Sequence, residues 1–166
     1  MRAFRPVERL IALWALMGGA LLLLIVVVTA INAAGFSLNT LARLAGGTVP
    51  GLPGYEDAVT LLVGAAALAM FPYCQLHGGH AVVDVFMQRA PRWANRFVFR
   101  LSGLLTIAVA LGLAFMLVQG VAQLRADRVE TAVLGWPVWP FAATAIASCL
   151  LWAVAAAMRL ASGEEA

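Results

Sequence analysis

"LIALWALMGGALLLLIVVVTAI", Leu10 to Ile31, is a run of twenty-two residues without one charged side chain. Crossing a bilayer takes about 20 apolar residues of helix. Three arginines precede the run (Arg2, Arg5 and Arg9), as in a signal peptide. A signal peptide's apolar core is only about 7–15 residues, and the "INAAG" that follows here is a poor cleavage site. The run is therefore expected to stay in the chain as a membrane anchor, from about 10 to 34.

Working outward, three further stretches have the length and composition to span: about 58–76, 97–121 and 137–158. The 166-residue chain is 63% hydrophobic and 11% charged, where a soluble domain carries about a quarter charged residues. The expected fold is an all-α integral membrane protein, one membrane domain over 1–166. All eleven basic residues are arginine, and the net charge of +3 is too small and too dispersed for nucleic acid. Cys74 and Cys149 lie in apolar segments and read as packing residues.

Orientation follows from arginines in the short loops. Placing both termini and the second loop on one side puts eight there (Arg2, Arg5, Arg9, Arg89, Arg92, Arg96, Arg100 and Arg159) against three (Arg43, Arg125 and Arg128). Both termini are expected in the cytoplasm. His77 and His80 then fall where the second span emerges, with Gly78 and Gly79 suited to ending a helix. Two histidines three apart in one turn, with no completing Cys, Asp or Glu, do not make a metal or haem site.

The surface pieces are amphipathic. Val82, Val85 and Phe86 share one face of "AVVDVFMQRAPRWANRFVFRL", so a short interfacial helix is expected within about 80–96. Pro91 suits the first turn of the next helix. Arg92, Arg96 and Arg100 recur every four residues beside Trp93 and Phe97. With Arg89, they read as anchors to anionic phospholipid in preference to a merely solvated face. "SLNTLARLAG" in the first loop is expected to form its own short helix with Ser37 as N-cap. Glu56 and Asp57 sit at the positive end of the second helix, which explains them as well as a partner contact would. In "LGWPVWP", Trp136 and Trp139 lie at belt level and Pro137 is placed to open the fourth helix.

The deep segments lack Asp, Glu, Lys, Arg and His, the groups on which ion-coupled transporters and proton relays depend. The polar candidates there are Thr106, Gln119, Thr144 and Ser148. Small residues abound instead: Ala15–Gly19, Ala65–Ala69, Ala108–Gly112 and "AATAIAS" offer faces for close helix packing. Ser102-Gly103 is the expected flex point of the long third helix.

Taken together, the acidic pair Glu56-Asp57, the run "PYCQLHGGHAVVD" with Gly79, His80, Val83 and Asp84 in a G-H-x-x-V-D pattern, and "LGWPVWP" with Gly135, Trp136 and Pro137 carry a resemblance. The chain resembles the small membrane subunit of tripartite ATP-independent periplasmic (TRAP) transporters, the DctQ-like family. The first loop, longer and richer in Gly and Pro, departs from that pattern. The resemblance implies a bacterial inner-membrane protein with no enzymatic activity and no cofactor. It implies a large multi-pass subunit that carries substrate and sodium by an elevator-like movement, which this chain would brace. A periplasmic binding protein would deliver the substrate, commonly an organic carboxylate. Two other classes compete: a stand-alone four-helix transporter, which needs a buried charge, and a cytochrome-like anchor subunit, which needs paired histidines inside the membrane.

Overall fold

A computed structural model describes residues 5–48, 51–78 and 91–162. Four long apolar helices make up the described chain: α1 (Arg5–Leu44), α2 (Tyr55–Leu76), α3 (Arg92–Ala126) and α4 (Trp139–Ser162). They form a helical bundle in which α1 packs on α2, α2 on α4 and α4 on α3.

Their lengths fall into two classes. At ~1.5 Å per residue, the 22 residues of α2 and 24 of α4 come close to the ~30 Å of a hydrocarbon core. The 40 residues of α1 and 35 of α3 overrun it. The core-length pair is central and the long pair lies outside.

Small side chains set the spacing. Ala65, Ala66 and Ala69 of α2 and Ala145, Ala153, Ala155 and Ala156 of α4 are buried. In a bilayer lipid covers apolar surface as well as protein does, so helices gain by close van der Waals approach. Two glycines show how close. A Cβ on Gly18 of α1 would stand 2.9 Å from Ala69 Cβ, and one on Gly103 of α3 would stand 2.5 Å from Leu160 Cδ2. The expected pairs are thereby shifted in register. Ala65–Ala69 is buried as read, but nothing lies within 4 Å of a Cβ on Gly19 or Gly112, and α3 buries Ala110 and Ala114 instead. Helix α3 runs unbroken through Ser102-Gly103, and Gly103 serves as its close-contact point with α4.

The first loop differs from its reading. "SLNTLARLAG" forms no separate helix, because α1 continues through it to Leu44. Ser37 is not an N-cap: its hydroxyl donates to the Ala33 carbonyl at 3.1 Å, and Thr40 does the same to Phe36 at 3.1 Å. Bonding back one turn is the ordinary state of a hydroxyl inside a helix. The chain then doubles back, so that the Leu52 N–H donates to the buried Asn32 Oδ1 at 3.2 Å. The helix beyond Asn32 thus projects about three turns past the start of α2.

Two helix starts are also displaced. Pro91 stands just outside α3, its carbonyl accepting from the Ala94 and Asn95 N–H groups at 2.9 and 3.2 Å. Pro137 does not open α4, which begins at Trp139; it pairs with Glu130 in an isolated antiparallel bridge. Pro140 occupies the first turn in its place. Of the expected interfacial segment 80–96, residues 79–90 lie outside the described chain, and 92–96 are the opening turns of α3.

Candidate functional site

Helix α2 is fastened at both ends, and four of the residues singled out by sequence, Asp57, Gly135, Trp136 and Pro137, meet at one of them. At its N-terminus Asp57 lies in the first turn, before the apolar run that begins at Ala58. Its Oδ2 accepts the Val133 N–H at 2.7 Å and the Leu134 N–H at 3.0 Å. These backbone donors, Leu134 first and then Val133, with a hydrogen bond from the Thr131 side chain, hold the Asp57 carboxyl below its ordinary value.

The loop that Asp57 grips is itself closed. Thr131 N–H donates to the Trp136 carbonyl at 2.9 Å, Trp136 N–H to Thr131 Oγ1 at 3.0 Å, and Val138 N–H to the Val129 carbonyl at 3.1 Å. Gly135 turns the chain at φ 64°. The Trp136 ring lies parallel to Phe141, 6.3 Å away. Gly54, just before α2, has φ 77°, which an L side chain adopts only at a cost. A Cβ there would stand 2.7 Å from Leu134 Cγ. Asp57, Gly135, Trp136 and Pro137 thus belong to one joint, whereas Glu56 is exposed.

At the other end His77 caps α2. Its N–H and Nδ1 both lie 3.1 Å from the Tyr73 carbonyl, and its ring stacks on Tyr73 at 4.1 Å. Gly78 follows at φ 65°, the left-handed turn expected after a helix. Arg159 of α4 reaches across: Nη1 donates to the Gln75 carbonyl at 3.4 Å, and its guanidinium lies 5.8 Å from the Phe99 ring centroid. Gly79, His80, Asp84 and Arg89 lie outside the described residues. Arg92, Trp93, Arg96 and Arg100 are on the first turns of α3, with Trp93 73% and Phe97 62% exposed.

Residues 33–165 match the family described as tripartite ATP-independent periplasmic transporters, DctQ component. The chain belongs to the DctQ family. No curated protein and no solved structure gives a match. The matched span takes in both fastened ends of α2 and all of α3 and α4. A DctQ chain is a component of a membrane transporter and not an enzyme.

The interior of this DctQ chain holds polar pairs that sequence alone did not reveal. Trp14 Nε1 of α1 donates to Ser148 Oγ of α4 at 2.9 Å, and Ser148 donates in turn to the Thr144 carbonyl at 3.1 Å. Trp152 Nε1 donates to Gln75 Oε1 at 3.3 Å, with Phe71 edge-on to the Trp152 ring at 5.2 Å. Buried Trp N–H groups normally find a partner, so Trp14 and Trp152 were the available signal. Of the expected polar candidates, Ser148 bridges helices. Thr106 bonds within its own helix to the Ser102 carbonyl, and Gln119 faces outward. Among the described residues no three of His, Cys, Asp and Glu come together as metal ligands would.

Proposed function

We propose that this DctQ chain is the small subunit of a bacterial inner-membrane TRAP transporter, bracing the large multi-pass subunit while that subunit imports an organic acid with sodium. The substrate would arrive on a periplasmic binding protein. One observation carries the reading: the deep parts of the four spans hold no Asp, Glu, Lys, Arg or His. Their inward polar groups are already bonded to one another, as in Trp14–Ser148 and Trp152–Gln75. A protein without an ion or substrate site has no differential affinity with which to drive a cycle.

In this reading both termini are cytoplasmic, on the arginine count. Arg89, Arg92, Trp93, Arg96 and Arg100, with the amphipathic stretch before them, hold the cytoplasmic surface to anionic phospholipid. The family pattern supplies the partner-facing candidates Glu56, Gly79, His80 and Asp84. Asp57, Gly135, Trp136 and Pro137 would act by fixing the shape of the joint that the large subunit meets.

Reporter fusions after Gly46 and after Gly79 test the arrangement. They should signal from opposite sides, periplasmic and cytoplasmic respectively. Equal signals would defeat the topology, and failure of a tagged chain to co-purify the large subunit would defeat the bracing role.

A further inference from the structure

The α3–α4 contact is close at one end and open at the other. From Gly103 to Ala114 the helices touch through buried small residues. Past Ala114 on α3, and before Ala145 on α4, neither helix is buried. A groove of about 600 Å³ opens there. Val118, Val121, Ala122 and Ala126 line it from α3, and Trp139 and Ile146 from α4. The α3 residues recur at one helical face, i, i+3, i+4, i+8, so the floor is a continuous apolar strip.

Arg125 stands at the head of this strip, in the last turn of α3. Its guanidinium lies 5.4 Å from the Trp139 ring centroid. Among the described residues no carboxylate forms an ion pair with it, although Asp127 and Glu130 follow in the chain. Among the described residues its guanidinium donates no hydrogen bond, so its N–H donors can take a phosphate by two bonds. Trp139 marks the depth as the interface between hydrocarbon and headgroups.

We propose that this groove is a binding site for an anionic phospholipid of the leaflet at the α2 N-terminal end. Its phosphate sits on Arg125 and one acyl chain lies along Val118, Val121 and Ile146. Charge complementarity selects the lipid: among the described residues the cation has no carboxylate partner, and a zwitterionic headgroup brings a cation of its own. Length argues against a protein helix, since Val118 to Arg125 covers only about 10 Å along the axis. Free phosphate would leave the apolar floor uncovered. This site is separate from the arginines at the start of α3, which lie at the opposite end.

Native mass spectrometry of the purified full chain, titrated with phosphatidylglycerol or phosphatidylcholine, tests it. Arg125→Gln should remove one retained phosphatidylglycerol per chain and weaken its binding about tenfold. Arg128→Gln, three residues on, should leave the count unchanged. Val118→Trp should displace the same lipid by filling the groove while Arg125 remains. Phosphatidylcholine retention should be alike in all four proteins. The proposal is overturned if Arg125→Gln retains as much phosphatidylglycerol as the parent, or if Val118→Trp does. It is overturned equally if Arg125→Gln loses the large subunit while its lipid count is unchanged, which would assign the groove to a protein.

Discussion

The two ends of α2 are fastened by opposite charges, and each suits the end it serves. At the N-terminus a carboxylate, Asp57, gathers two backbone N–H groups of the loop before α4. At the C-terminus a guanidinium, Arg159 at the far end of α4, meets a backbone carbonyl, that of Gln75. A helix is partially positive at its first turn and partially negative at its last, so both placements gain from the macrodipole. The fastenings differ in tightness. The Asp57 bonds are 2.7 and 3.0 Å long within a closed loop, whereas Arg159 makes one 3.4 Å contact and shares itself with Phe99. The lesson is that the Asp57 end is the firmer joint between α2 and the chain leading into α4, and the Arg159 end is the looser.

Substitutions that strike the two ends separately can break this comparison. The largest loss is expected for Gly54→Ala, which combines a left-handed backbone with a Cβ 2.7 Å from Leu134. Together these should cost about 3 kcal/mol, read as thermal unfolding of the detergent-purified chain. Asp57→Ala should come next, since it strands the Val133 and Leu134 N–H groups. A fall in unfolding temperature about half that of Gly54→Ala is expected, with Asp57→Asn milder because it keeps an acceptor. At the looser end Gly78→Ala should cost about 1 kcal/mol, for its backbone angle alone, because the Arg159 side chain nearby can swing aside. Arg159→Gln should be smallest, below about 1 kcal/mol. Were Arg159→Gln to destabilise the chain more than Asp57→Ala, the ranking of the two ends would be reversed.

The fold was legible where composition decides it. Four apolar runs of spanning length became four helices, because nothing in a bilayer competes with internal hydrogen bonding for the backbone. Boundaries were less legible. Ser37 and Thr40 suit a helix start, yet they bond equally well one turn back inside a helix, and no proline interrupts α1 after Pro6. Pro137 looked like a helix opener, but the closed loop of Thr131 and Trp136 holds it in a bridge with Glu130. The small-residue pairs were visible as a class while their register was not: Gly18 and Gly19 are adjacent, and only the packing of α2 distinguishes them. Asp57 was placed correctly at a positive helix end, but its partners lie 76 and 77 residues away, beyond what a local pattern conveys. Arg159 was legible only as a charge in the loop count, since its contact with Gln75 exists only once α4 has returned to the end of α2.

The central claim is that this chain supports transport without performing it, and sodium-gradient uptake in liposomes tests that most directly. The chain alone, with the binding protein and its organic-acid substrate present, should give no gradient-dependent uptake. Adding the large subunit should produce it, and the large subunit without this chain should transport feebly or not at all. Gradient-driven uptake by this chain alone would contradict the account.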